Sequence, residues 1–248
     1  MVSPADLLFS QGFGTRRECA AIVANGWLEV EGIGVVDDVE RDLDAGAQLW
    51  FRVRGGERWP YRERALIVLN KPAGYECSLK PSHHASVYSL LPPPLRRRGV
   101  QAIGRLDEDT TGVLLFTDDG ALVHRLTSPR HHVAKVYEVG CKHAVDEAQV
   151  ERLCAGVLLH DRNESVRAAA CEATGERALR LTLTEGKYHQ VKRMIAAVGN
   201  RVETLERSAF GTVRIDGLAP GRWRWLDAAV DFPPARPAAA ASPRPARS

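Results

Sequence analysis

The chain has 248 residues, 44% of them hydrophobic, enough for one large domain or two unequal ones with a real core. A formal charge of +3 permits a nucleic-acid partner without demanding one, and no stretch approaches the roughly 18 consecutive apolar residues that would argue for a membrane span. Five cysteines at irregular spacing, with no Cys-x-x-Cys pair and no secretory leader in view, exclude a disulfide scaffold and point to a reducing, cytoplasmic setting.

The distribution of charge says more than its sum. Residues 1–62 hold seven Lys/Arg against ten Asp/Glu, and the remainder 27 against 21, so any electrostatic attraction for a polyanion must come mainly from the larger, later part.

From the N-terminus, Thr15-Arg16-Arg17-Glu18 has the spacing of a capping box. A short helix should follow, with Cys19, Ile22 and Val23 on one face and Asn25-Gly26 ending it. Trp27 to Gly32 then alternates as a strand and turns at Gly32 and Gly34 into Val35-Val36. Gly55-Gly56-Glu57-Arg58-Trp59-Pro60 is dense in turn formers, so the expected division is a small module over residues 1–55, a linker over 56–63 and a larger domain over 64–230.

In that domain Leu66–Leu69, Val113–Phe116, Val136–Val139, Leu179–Thr184 and Arg201–Leu205 read as strands, and Gly120–Leu126, Val145–Cys154 and Tyr188–Val198 as helices. No glycine-rich nucleotide motif follows a strand, and strands and helices do not alternate regularly. An α+β fold around a mixed, mostly antiparallel sheet fits better than a doubly wound one. Residues 231–248, rich in Ala, Pro and Arg, lack the apolar residues that would offset ordering entropy and read as a disordered tail.

The segment with most chemical content is Gly104-Arg105-Leu106-Asp107-Glu108-Asp109-Thr110-Thr111-Gly112-Val113. It sets carboxylates in a Gly-flanked turn directly ahead of a buried strand, and loops held by a rigid sheet are where catalytic groups tend to sit. Taken alone it also reads as a solvated turn closed by its own carboxylates. A calcium loop fails, because Pro92-Pro93-Pro94 and Arg96-Arg97-Arg98 leave no amphipathic helix leading in and the twelfth position is Asp118 instead of Glu. A zinc site from Cys141, His143 and His131-His132 matches none of the usual ligand spacings.

Gly-Arg-Leu-Asp followed by Thr-Thr-Gly and an aliphatic strand resembles the catalytic signature of the pseudouridine synthases, in the branch that modifies ribosomal RNA. The likeness recurs in family order through Leu69-Asn70-Lys71-Pro72-Ala73-Gly74-Tyr75, Ser128-Pro129-Arg130-His131-His132, Lys135-Val136-Tyr137 and Glu185-Gly186-Lys187-Tyr188-His189-Gln190-Val191-Lys192-Arg193-Met194. The Arg-His-His segment and the last of these resemble the small-subunit ribosomal RNA enzymes more than their large-subunit relatives. The N-terminal helix and hairpin resemble a small RNA-binding module shared by a ribosomal small-subunit protein and several RNA-modifying enzymes. Two features depart from it: the opening is Ser3-Pro4-Ala5-Asp6 instead of basic, and the module is net acidic.

The resemblance implies an isomerase that detaches uracil from ribose, rotates it and rejoins it through carbon, after extracting the nucleotide from its stack. It implies no metal or other cofactor. Asp107 matches the catalytic position, as nucleophile or base. A carboxylate that must stay ionised in a closed site needs a cation nearby, and Lys192 matches the family's basic partner. Beside it Val191, Met194, Ile195 and Val198 form an apolar stripe, so Lys192-Arg193 also reads as an ordinary solvated pair on an amphipathic helix. Tyr137 matches the tyrosine whose ring packs on the target base, against the plainer reading of a core strand tyrosine. Glu108 and Asp109 fall outside the motif and read as turn residues or outer support.

Arg105, Lys71, Tyr75, Arg130, Lys135, His189 and Arg193, with Arg16 and Arg17 of the module, are the implied RNA contacts, and Arg96-Arg97-Arg98 would extend the basic track. The expected partner is ribosomal RNA, small-subunit or an assembly intermediate, bound by a monomer. Three rivals are an enzyme of the same kind acting on large-subunit RNA, a non-catalytic ribosomal RNA-binding assembly factor, and a hydrolase, which lacks a second carboxylate at any recognised spacing.

Overall fold

The computed structural model describes residues 1–44, 49–159 and 164–232. At the N-terminus Ser3 caps a first helix, α1 (Pro4–Ser10), by accepting from the Asp6 amide, with Pro4 in its first turn. That helix was not foreseen, because Ser3-Pro4-Ala5-Asp6 drew notice only for its lack of basic residues. The expected capping box then opens α2 (Arg16–Ala24), Thr15 and Glu18 each accepting from the other's backbone amide. A four-stranded sheet follows, in the order β2 (Gly34–Val36), β1 (Leu28–Val30), β3 (Trp50–Val53) and β4 (Trp59–Pro60). Trp59 and Pro60, inside the segment expected as linker, thus pair with Phe51 and Trp50. The Trp59 ring packs edge-on against Phe13, Trp223 and Trp225.

The second sheet is mixed and mostly antiparallel. Its strands are β5 (Leu66–Lys71), β8 (Gln101–Ile103), β9 (Thr111–Thr117), β10 (Lys135–Cys141), β13 (Ala170–Gly175), β14 (Ala178–Leu183), β15 (Val202–Phe210), β16 (Val213–Arg214) and β17 (Trp223–Trp225). The order is β13-β14-β10-β15-β9-β5-β17, with β8 on β9 and β16 on β15. Two short pairs, β6 (Tyr75–Glu76) with β7 (Ala85–Ser86) and β11 (Val157–Leu159) with β12 (Glu164–Val166), stand apart. The sheet is flanked by α3 (Pro93–Arg97), α4 (Gly120–Thr127), α5 (Glu147–Ala155), α6 (Gln190–Ala197) and the short α7 (Ala228–Asp231).

The apolar runs at β5 and β9 are unbroken because both faces of these central strands are covered. Ile67, Leu69, Leu114 and Phe116 join a core that runs on into the N-terminal module; Leu66, Val68, Val113 and Leu115 join a second one under α4. β15 runs longer than Arg201–Leu205, the expected strand, since a buried arginine at 207 interrupts its apolar alternation without ending it. α6 starts later than Tyr188 because His189 takes a left-handed conformation, φ 47°, at its N-cap. Asp231 ends α7, and Phe232 packs edge-on against Phe210, so the expected tail begins inside ordered structure; residues 233–248 lie outside the described residues. Among the described residues no helix is long and apolar enough to cross a membrane.

Candidate active site

β9 and β15 are neighbouring parallel strands in the middle of an otherwise antiparallel sheet, with Arg207 opposite Gly112. The approach is so close that a Cβ on Gly112 would lie 2.3 Å from the Arg207 carbonyl oxygen, and Gly112 sits at φ 101°; only glycine fits. The loop leading into β9 therefore rises beside β15. Over that junction, β10 and the N-terminal end of α6 close a cleft of about 460 Å³, whose wall includes Arg105, Asp107, Lys135, Tyr137, His189 and Lys192.

Asp107 is held from two directions on this wall. Its Oδ2 lies 3.4 Å from Lys192 Nζ and its Oδ1 lies 3.3 Å from His189 Nε2. The left-handed backbone of His189 turns the imidazole back over the loop, where its ring stacks on Tyr188 at 3.8 Å between centroids. Lys192 makes its shorter contacts elsewhere, donating to Asp109 Oδ1 and Oδ2 at 2.7 and 2.8 Å. Burial opposes the Lys192 charge, but the hydrogen bond to Asp109 and the charges of Asp107 and Asp109 outweigh it and raise its pKa. Burial likewise pushes Asp109 up, yet its hydrogen bonds to Lys192 and the Lys192 charge leave it net lowered. Lys192 thus lies beside Asp107, as the resemblance implies, but it bridges two carboxylates, and Asp109, which reads in the sequence as a turn residue or outer support, is its tighter partner.

Tyr137 lies on β10, buried, opposite Leu181 on one side and Arg207 on the other. A register shift between Val136 and Tyr137 against β15 re-aims the tyrosine at this point, a common use of a bulge beside a working site.

Residues 65–197 match the protein family described as RNA pseudouridylate synthase. This chain belongs to that family. Similar members include the uncharacterized RNA pseudouridine synthase YtzG of Bacillus subtilis (strain 168), 39% identical over 224 residues that cover 89% of this chain and 92% of that protein. Another is the ribosomal small subunit pseudouridine synthase A of Escherichia coli (strain K12), 46% identical over 161 residues covering 64% and 69%. A crystal structure of a pseudouridylate synthase superposes with a TM-score of 0.63 at 31% identity over 92% of this chain and 96% of that one. The fold is that of the family, an α+β domain on a mostly antiparallel sheet.

Within this pseudouridine synthase the other sequence-derived residues scatter. Arg105 is exposed at the cleft, and Lys135 lines it half-buried with Nζ donating to the Val133 carbonyl at 2.9 Å. Lys71 is a correction. It is 0% exposed, and its ammonium donates to the carbonyls of Pro72, Glu108 and Thr110 at 3.1, 3.0 and 2.8 Å, so it braces the Asp107 loop from beneath and has no path to RNA. Burial lowers its pKa, partly offset by Cys77, Glu108, Asp109 and Asp107.

Tyr75 packs partly buried on β6, outside the cleft lining, and Arg193 donates to the Tyr188 carbonyl, also outside it. Arg130 is exposed in the turn Pro129–His131. Arg16 and Arg17 are exposed on α2, Arg16 pairing with Asp6 and lying over the Phe9 ring. Arg98, thought part of a basic track, is a buried internal tie to Asp118. Sequence reasoning missed Arg207, which lines the cleft from β15. One signal was present: in Leu205-Glu206-Arg207-Ser208-Ala209 the arginine falls on the inward beat of the strand, between two buried apolar residues.

Proposed function

We propose that this chain isomerises a uridine of small-subunit ribosomal RNA to pseudouridine, with Asp107 as the nucleophile or base at the sugar or ring. The observation that carries this reading is Asp107, held between Lys192 and His189 on the wall of a cleft that also presents Tyr137. A cleft of about 460 Å³ suits one extruded nucleotide. The Tyr137 ring returns some of the stacking the base loses, worth about 1–3 kcal/mol per base. Lys192 fixes the acidic loop by joining Asp107 to Asp109, and His189 limits the rotamers of Asp107 from the other side. Arg105 is the RNA contact at the cleft, and the exposed Arg16, Arg17 and Arg130 add phosphate contacts at a distance from it. Residues 1–55, their sheet completed by β4 from within 56–63, act as an RNA-binding module joined to a catalytic domain over 64–230.

The choice of small-subunit RNA is supported by the 46% identity to an enzyme named for that subunit. Purified protein incubated with unmodified small-subunit and large-subunit ribosomal RNA, followed by mapping of pseudouridine in both, tests it. One modified position in the small-subunit RNA is expected. Modification confined to the large-subunit RNA overturns the choice of substrate, and modification of neither, including in assembly intermediates, overturns the activity.

A further inference from the structure

Arg207 is 2% exposed, yet the only hydrogen bond its guanidinium makes among the described residues is from Nε to the Val113 carbonyl at 2.8 Å. Its Nη2 is buried without a partner. The guanidinium carbon lies 5.3 Å from the centroid of the Phe210 ring, and Lys135 Nζ lies 5.1 Å from the same centroid. Neither cation forms a salt bridge with a carboxylate among the described residues. Arg207, Lys135 and Phe210 all line the cleft that holds Asp107.

A buried guanidinium without a counter-ion is costly, and a fold that keeps one beside a working site has a use for the charge. The cleft is polarised: carboxylates and their bridging lysine form one part of its lining, and two cations without an acid form another. A phosphate diester is bulky, charged before the reaction and suited to the exposed rim. The interior instead suits a flat group that gains charge during the reaction.

We propose that Arg207, with Lys135 beside it, binds the uracil oxygens and stabilises the negative charge the base acquires when it leaves the ribose, an inference that rests on the reading of this cleft as the uridine site. The C1′–N1 bond breaks with its electron pair remaining on the base, spread over N1, O2 and O4. C1′ passes to the Asp107 carboxylate or faces it as an oxocarbenium ion. After the base rotates, C5 bonds to C1′ and any ester to Asp107 breaks. The C5 proton passes to water and N1 takes a proton from water, so nothing is oxidised or reduced. Donors placed in advance where charge develops are worth most in a water-poor site.

The test uses the full chain and two RNA substrates, one carrying uridine and one carrying 5-fluorouridine, whose fluorine makes the departing base a more stable anion. Arg207→Met and Lys135→Met are compared with the unsubstituted enzyme for RNA affinity and for the single-turnover rate at which the target nucleoside is consumed. Arg207→Met should slow consumption of uridine about 100-fold with RNA affinity unchanged, and the deficit should shrink severalfold on 5-fluorouridine. Lys135→Met, less prone to disturb the fold, should show the same substrate-dependent deficit at smaller size, and Arg207→Lys should recover part of the rate. Equal deficits on both substrates overturn the inference, as does a loss carried wholly by RNA affinity, which marks a phosphate contact. An unsubstituted enzyme inert on both RNAs overturns the reading of the cleft itself; an active one whose Arg207→Met variant is equally active overturns the inference alone.

Discussion

Asp107 and Asp109 stand two residues apart and share one ammonium, but their surroundings separate their tasks. Asp109 takes both short hydrogen bonds from Lys192 and is more than half exposed, whereas Asp107 faces the cleft with His189 as its second neighbour. Asp107→Asn removes the proposed nucleophile or base, and should lower single-turnover conversion about a thousandfold or more while leaving RNA affinity near its original value. Conversion by that variant at even a tenth of the original rate excludes the assigned role. Lys192→Ala should slow turnover more than it weakens binding; equal losses in the two would make Lys192 a phosphate contact. Lys135 gives a pH handle. Burial, reinforced by the Arg207 charge, lowers its pKa to about 8. In the unfolded chain it would titrate near 10.4, so between these values the unfolded state binds more protons and this group's contribution to stability rises with pH. Activity should move the other way if the ammonium is used, falling as pH passes about 8. The other charged groups lining the cleft are Arg105, Asp107, Glu185, Lys187, His189, Lys192 and Arg207, so the assignment needs the variant: a pH–rate profile of Lys135→Met that keeps the same alkaline limb would place that limb on another group.

The loop that carries Asp107 owes its position to two elements. β9 fixes its end through Gly112 against β15, and β5 fixes its underside through Lys71, whose three donors are all spent on carbonyls, two of them in the loop. Lys71→Met fills similar space but leaves those carbonyls without their donor, which should cost roughly 3 kcal/mol of stability. Loosening the loop should also lower turnover more than it lowers RNA affinity. Urea denaturation and affinity measurements check this, and a variant of full stability with weakened RNA binding would restore Lys71 to the interface. Much at this scale was legible beforehand. Apolar runs marked β5 and β9, and the Thr15–Glu18 spacing marked α2, because burial and capping act within a few residues. Asp107, Tyr137 and Lys192 were marked by motif, and they do meet at one cleft. What stayed hidden was polar and long-range. A lysine before a proline at the end of β5 gives no sign that it points inward, two acids in one loop do not reveal which takes the ammonium, and the inward beat that marks Arg207 does not say that it lines the cleft.

At the scale of the whole molecule the N-terminal module and the large sheet are held by shared apolar packing and by one buried polar tie. Trp59, itself packed on Phe13, brings aromatic surface to Trp223 and Trp225, and a Cβ on Gly12 would come within 2.2 Å of the Pro94 carbonyl oxygen, so the turn after α1 meets α3 at close range. Arg98, its side chain 3% exposed, sits at the centre of this contact. It donates twice to Asp118 Oδ2 just past β9, once to Gln11 Oε1 after α1, and to the carbonyls of Arg62 and Glu63 in the connecting segment. Gln11 is itself fully buried and donates to the Arg62 carbonyl at 3.1 Å. Removing one member of a buried pair strands the other, at a cost of about 3–5 kcal/mol. Arg98→Met should therefore strip Asp118 of its counter-ion and leave Gln11 held only by Ser10 and the backbone of Arg62. Hydrogen exchange should then speed up first at the amides of α1 and α2, while those of β9 and β15, held by pairing on both sides, change least. If protection falls evenly across both regions, the module and the sheet unfold as one unit and Arg98 is only a general stabiliser; if it falls in neither, the aromatic contacts alone hold them together.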